Sequence, residues 1–192
     1  MKVKVLGEYG YPLAIRGFGY SYMDSAENPD DFFTPEKYKQ IERAALTHVG
    51  KGRGMDKWLR QVAVYLDIYA PRYWWSEFDT YKVGTVAQST STMHTLLKRK
   101  VAANDFQGGL SNAMLDEVNR ELDYANDKPD IQHAKRYLPE GYLQRRVVSL
   151  NYAILRCIIE QRQGHRLPEW AIFIKEVCKQ VEHPELLPEG GG

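Results

Sequence analysis

The chain has 192 residues, 43% hydrophobic and 27% charged, enough for one well-buried core and expected to form a single domain over 1–192. Its 26 basic and 25 acidic side chains nearly cancel, which excludes a global positive field that would draw it onto nucleic acid or an anionic membrane and leaves only local phosphate binding. Two cysteines, Cys157 and Cys178, are too few for a disulfide scaffold, no apolar run approaches the roughly 18 residues of a membrane span, and residues 1–5 alternate like a strand rather than opening a signal peptide; a reduced, cytoplasmic protein is expected.

Residues 2–6 read as a strand, and Gly7, Gly10, Pro12, Gly17 and Gly19 then punctuate a stretch expected to be loops. Asn28-Pro29-Asp30-Asp31 reads as a turn. Thr34-Pro35 supplies an N-cap and a proline at N1 for a helix carrying Ile41, Ala44, Ala45 and Val49, stopped by Gly50, Gly52 and Gly54. Over 60–69, Val62, Val64, Leu66 and Ile68 alternate with Ala63, Tyr65, Asp67 and Tyr69, a strand ended by Ala70-Pro71. Trp74, Trp75, Phe78 and Tyr81 then have helical spacing, weakened at Val83-Gly84-Thr85-Val86 before the Ser89–Thr92 cluster.

Ser111 caps a helix with Met114, Leu115, Val118 and Leu122 on one face, ending near Asn126. Residues 145–150 are a strand, Asn151 to Arg162 an amphipathic helix, and 168–181 a last helix with Trp170, Phe173, Ile174 and Val177. Pro184, Pro188 and the Gly190–Gly192 tail close the chain. No repeat, linker or low-complexity block divides it.

The stretch from Lys135 to His165 carries the pattern of half a nucleotide site: an apolar strand and helix punctuated by Lys135, Arg136, Asn151, Arg162 and His165. A flat ring and a phosphate need an apolar wall, an amide for base edges and a fixed cation on one rigid support. Each residue also has a plainer reading. A cation ending a helix, as at Arg162, is favoured by the macrodipole by roughly 0.3–1 kcal/mol; Asn151 is a natural N-cap; paired Lys135-Arg136 before a turn are ordinarily solvated; His165, between Gly164 and Arg166, is ordinarily an exposed loop residue. Trp74-Trp75 read first as core. The alternative is a pocket in which Glu77 accepts from a base edge, Lys82 contacts phosphate and the hydroxyls from Thr85 to Thr92 help. His48, His94, His133, His165 and His183 show no i, i+4 pairing, so no metal site is expected.

Taken together, these residues resemble the flavin-dependent thymidylate synthases. A basic residue, Lys135 or Arg136, precedes Leu138-Pro139; Asn151 follows Pro139 by twelve residues, Arg162 follows Asn151 by eleven, and His165 comes after it. Counted from Ala70-Pro71, the family's signature Arg-His-Arg-x-x-Ser-x-Asn-x-x-Ser-x-Arg falls on Thr80, Tyr81, Lys82, Thr85, Ala87, Thr90 and Thr92, with Gln88 at a position where the family commonly has glutamate. The resemblance implies an α+β fold, a central antiparallel or mixed sheet with helices, and a homotetramer with active sites between subunits. It also implies a pyrimidine deoxynucleotide ligand and C5 methylation of dUMP, or a related C5 modification, using FAD, NADPH and methylenetetrahydrofolate, with no protein nucleophile; a cysteine-nucleophile mechanism is disfavoured by Cys157 lying mid-helix.

By the same resemblance the nucleotide falls to Arg162, Lys135, Arg136, Glu77, Gln88, Thr90 and Thr92, and the cofactor to Lys82, Tyr81, Thr80, Thr85, Asn151 and His165; no catalytic residue is assigned. Threonine at 80 and 92 removes two fixed cations, each worth about 1.5–3 kcal/mol in a charge-assisted hydrogen bond. That substitution keeps a second reading open: a non-catalytic descendant of the fold that binds or sequesters a nucleotide without flavin.

Overall fold

The computed structural model describes residues 1–52 and 54–188; the Gly190–Gly192 tail lies outside them. In chain order the elements are β1 (Lys2–Tyr9), α1 (Tyr11–Gly19), a one-turn α2 (Pro29–Phe32), α3 (Pro35–Leu46), β2 (Ala63–Pro71), α4 (Arg72–Phe78), β3 (Val86–Ser89), a one-turn α5 (Thr92–Thr95), α6 (Asn112–Asp127), α7 (Ile131–Arg136), β4 (Leu143–Asn151), α8 (Tyr152–Arg162) and α9 (Pro168–Gln180). A 3₁₀ turn, Lys57–Gln61, leads into β2. The strands form one antiparallel sheet in the order β1-β2-β4-β3. This is the expected mixed helix and sheet architecture.

The alternation in β2 decides which face is core. Val64, Leu66, Ile68 and Ala70 are fully buried, each larger apolar side chain contributing about 1.5–3 kcal/mol. They meet Val3, Val148 and Leu150 of the neighbouring strands and the apolar stripes of α1, α3, α4, α8 and α9. Tyr65, Asp67, Tyr69, Arg145 and Val147 occupy the opposite face, where Arg145 pairs with Asp67 at 3.3 Å. A second, smaller cluster forms between α6, α7 and the segment around Leu96, Val101 and Phe106.

The Trp pair is core, as its plainer reading holds. Trp74 and Trp75 are 0% and 1% exposed, and Trp74 lies 4.7 Å from Trp170 and 5.1 Å from Phe78, ring centre to ring centre. Thr34, Ser111 and Asn151 each accept a backbone N–H at a helix start, as their spacing predicts.

Four local expectations are corrected. The glycine-rich stretch after β1 is a helix, because Tyr11, Ala14, Ile15 and Phe18 supply an apolar face that tertiary packing rewards over glycine propensity; Gly10 starts it at φ +94°, where a Cβ would lie 2.6 Å from the Gln61 carbonyl oxygen. Asn28 caps a single helical turn rather than a plain turn. Residues 60–62 belong to the 3₁₀ turn and its exit, so β2 begins at Ala63. Residues 86–89 form β3, an exposed edge strand paired only with β4. Outside these four, Lys135-Arg136 close the short helix α7 and are exposed, as their plainer reading has it.

Candidate functional site

Helix α8 starts at its Asn151 cap and delivers Arg162 in its last turn, against the end of α4 and the start of α9. There Arg162 Nη1 donates to Glu77 Oε2 at 3.0 Å and its Nε donates to the Tyr81 hydroxyl at 2.9 Å. The guanidinium also stacks 4.7 Å above the Trp170 ring and 5.5 Å from Tyr81. Trp170 Nε1 donates to the same Glu77 oxygen at 2.8 Å. Arg162 is therefore a neutralised, mostly covered cation, its side chain 16% exposed.

His165 completes this knot. The Leu167 N–H donates to its Nδ1 at 3.1 Å. Its Nε2 lies 3.1 Å from Arg162 Nη1 and 3.4 Å from Glu77 Oε2. Glu77 Oε2 thus accepts from Arg162 and Trp170, with the His165 ring packed beside them.

Tyr81 links the knot to a cleft of about 490 Å³ between the end of α4 and the start of α8. Thr80, Tyr81 and Asn151, three of the residues assigned to the cofactor by resemblance, come together on its wall with Arg60 and Ile154. Several of their polar atoms are engaged locally. The Thr80 hydroxyl donates to the Glu77 carbonyl at 2.7 Å, the Tyr81 hydroxyl donates to Gln161 at 3.0 Å, and Asn151 Oδ1 accepts from Ile154 N at 3.1 Å. The Asn151 amide nitrogen and the Arg60 guanidinium remain to meet a ligand. Arg60 has no functional signal in the sequence, where it falls at the start of the expected strand over 60–69; the 3₁₀ turn instead leaves it exposed.

The other assigned residues form a second group. Gln88 is exposed on β3, opposite Val147. Thr90 continues that pairing, its N–H donating to the Arg145 carbonyl at 2.9 Å. Thr92 opens α5, and Lys135 Nζ donates to the neighbouring Met93 sulfur at 3.5 Å. Arg136 is exposed at the end of α7. Lys82 is exposed just beyond Tyr81, and the Thr85 hydroxyl donates to the Tyr81 carbonyl at 3.2 Å. Lys135 and Arg136 share no contact or cavity wall with Arg162 or Asn151 among the described residues. Nor do any three His, Cys, Asp or Glu side chains gather there as a metal ion requires.

A flavin dinucleotide would ask this cleft for fixed cations at its diphosphate. The hydroxyls of Thr80, Thr85 and Thr90 are turned onto backbone carbonyls, and Ala87 offers no hydrogen-bonding side chain. Arg60 is the one cation on the cleft wall. The residues that one chain presents do not fit the diphosphate.

No family model matches the chain, and no curated protein resembles it in sequence. Its fold has clear counterparts among solved structures. The Helicobacter pylori flavin-dependent thymidylate synthase ThyX, complexed with FAD and dUMP, superposes with a TM-score of 0.78 at 15% identity, over 98% of this chain and 99% of that one. A second structure of that enzyme with FAD and dUMP gives 0.75 at 16% identity, over 98% of each chain. The Streptomyces cacaoi UMP/dUMP methylase PolB, bound with 5-Br dUMP, gives 0.60 at 12% identity, over 96% of this chain and 92% of that one. The chain therefore has the fold of the flavin-dependent thymidylate synthases.

Proposed function

We propose that this protein binds a pyrimidine deoxynucleotide in the cleft between α4 and α8 and that it does so without flavin chemistry. The observation that carries the reading is the gathering of Thr80, Tyr81 and Asn151 on one cleft, backed by an Arg162 whose position is fixed by Glu77 and Trp170. The Tyr81 ring offers a stacking surface, the Asn151 amide nitrogen a donor for a base carbonyl, and the buried knot behind them a support that does not reorganise on binding. Neighbours of the same fold crystallised with dUMP or its 5-bromo derivative support the ligand class.

The second reading is C5 methylation of dUMP, or a related C5 modification, with flavin, NADPH and methylenetetrahydrofolate. What favours it is that neighbours over nearly the whole chain length are a thymidylate synthase and a methylase. Mass spectrometry of ligands released from purified protein, with an absorption spectrum, separates the two. Pyrimidine nucleotide with no flavin supports binding alone; a stoichiometric flavin band restores the enzyme; isothermal titration showing no affinity for dUMP or dCMP removes both.

A further inference from the structure

Arg60 stands on a wall shared by two cavities. On one side is the cleft with Thr80, Tyr81 and Asn151, about 490 Å³. On the other is a cavity of about 680 Å³ whose lining includes Phe18, Tyr22, His48, Lys57 and Trp58. Neither lining contains a carboxylate. The Arg60 side chain is exposed and makes no hydrogen bond or ion pair among the described residues, and the same holds for the Lys57 side chain. Most other arginines near the site are engaged: Arg162 by Glu77, Arg146 by Asp79, Arg72 by Glu140.

The local fold explains why these two cations stand together. A 3₁₀ helix has about three residues per turn, so positions i and i+3 eclipse. In Lys57–Gln61 this buries Trp58 and Leu59 and sends Lys57 and Arg60 out on one face. Gly10 holds the turn in place, because only a residue without a Cβ can come this close to the Gln61 carbonyl. Two adjacent like charges without a counter-ion are unfavourable unless an anion joins them. The signature positions 80 and 92, which the resemblance assigns to phosphate-binding arginines, carry threonine, so a phosphate in this cleft needs a cation from elsewhere in the chain.

We infer that Arg60, with Lys57 beside it, holds the phosphate of the nucleotide, so that the charge missing from the signature segment is supplied by the 3₁₀ turn before β2. This rests on the nucleotide reading above. It makes Arg60 the residue that distinguishes a nucleotide from a nucleoside, while Tyr81 and Asn151 face the ring.

The test is isothermal titration of dUMP, dCMP and the two nucleosides against wild type, Arg60→Gln, Arg60→Lys and Lys57→Gln, with circular dichroism confirming the fold. Arg60→Gln should weaken monophosphate binding about ten- to hundredfold, as loss of a charge-assisted contact does, and leave nucleoside binding unchanged. Arg60→Lys should recover part of the loss, and Lys57→Gln should cost less than Arg60→Gln. Unchanged monophosphate affinity in Arg60→Gln, or an equal loss for nucleotide and nucleoside, overturns the assignment alone. Wild-type protein that binds neither monophosphate overturns the nucleotide reading and this assignment with it.

Discussion

The Arg162 guanidinium and the Glu77 carboxylate meet at 3.0 Å under the Trp170 ring, although 85 residues separate them in sequence. The pair is mostly covered, with side chains 16% and 33% exposed. Removing one member leaves the other short of a partner in a partly dry setting. Arg162→Ala should therefore cost about 2 kcal/mol, below the roughly 3–5 kcal/mol of a fully buried pair because Glu77 keeps solvent contact and the Trp170 donor. Glu77→Gln should cost less, since the amide oxygen can still accept from Trp170. A double-mutant cycle in urea should return a coupling of about 1–2 kcal/mol; additive losses would show that the two side chains do not support each other.

The two buried tryptophans should lose unequal stability on substitution by phenylalanine. Trp74 Nε1 is buried without a hydrogen-bond partner, so Trp74→Phe removes an orphan donor as it removes volume, and the net cost should stay below about 1.5 kcal/mol. Trp75 Nε1 donates to the Gln144 carbonyl at 3.0 Å and its ring carries Arg146 at 4.3 Å. Trp75→Phe should cost about 2–3 kcal/mol, because it strands an acceptor in addition to losing contact. Chemical denaturation of both variants checks the order, and Trp74→Phe proving the worse would refute it.

The sequence was most legible where one period dominated. The β2 alternation, the Thr34, Ser111 and Asn151 caps and the stripe on α9 all predict elements close to those observed. It was least legible where tertiary contact overrode local signals. Helix α1 is glycine-rich and forms because Ala14 and Ile15 are fully buried against the core; edge strand β3 is exposed along its length and has no apolar period to read. At the site, Thr80, Tyr81 and Asn151, which the resemblance assigns to one ligand, line one cleft, whereas the contact between Glu77 and Arg162, 85 residues apart, leaves no signal in the sequence. The exposure of Arg60 is not legible in the sequence, because a 3₁₀ turn and the first residues of a strand look alike over five positions.

Gly84 packs against Ile154 on the cleft floor, and a Cβ there would lie 2.4 Å from Ile154 Cδ1 and Cγ1. Isoleucine is stiff at χ1, so the clash cannot be relieved by a small rotation. Gly84→Ala should cost about 1–3 kcal/mol, typical of overpacking, and should narrow the cleft. Pairing it with Ile154→Ala should recover a good part of the loss that the two single changes predict when added. Strict additivity in melting or urea experiments would mean that the chain moves rather than the side chain.

Three tyrosines predict an alkaline limit to stability. Burial first, and then hydrogen bonds to Glu8, Glu42 and Glu169, hold the phenols of Tyr152, Tyr11 and Tyr73 protonated well above the ordinary tyrosine range. A raised folded-state pKa gives stability that is complete below the unfolded value, about 10, and is lost as pH climbs toward the folded value. Unfolding free energy should be insensitive to these groups at pH 8 and fall above about pH 10, by up to roughly 1.4 kcal/mol per pH unit for each tyrosine. Tyr152→Phe, though less stable at neutral pH for want of its 2.5 Å bond to Glu8, should show a shallower alkaline slope. An identical slope in urea titrations between pH 8 and 11 would remove Tyr152 from the account.

The separation of the expected nucleotide residues into two groups bears on assembly. Arg162, Glu77, Tyr81 and Asn151 lie around α4 and α8, whereas Thr92 and Lys135 lie beside α5 and α7 with no contact between the groups among the described residues. A single copy therefore holds the expected nucleotide residues in two separate groups, and the resemblance implies a homotetramer whose sites lie between subunits. If the second half comes from another copy, Lys135→Ala should weaken dUMP binding by about tenfold without altering the fold, and the purified protein should elute as an oligomer in light scattering. Dilution to the point of dissociation should lower dUMP binding in step with the loss of oligomer. A monomer that binds dUMP with unchanged affinity when Lys135 is removed would place the whole site within one chain, and would leave Arg60 as the cation on which its phosphate depends.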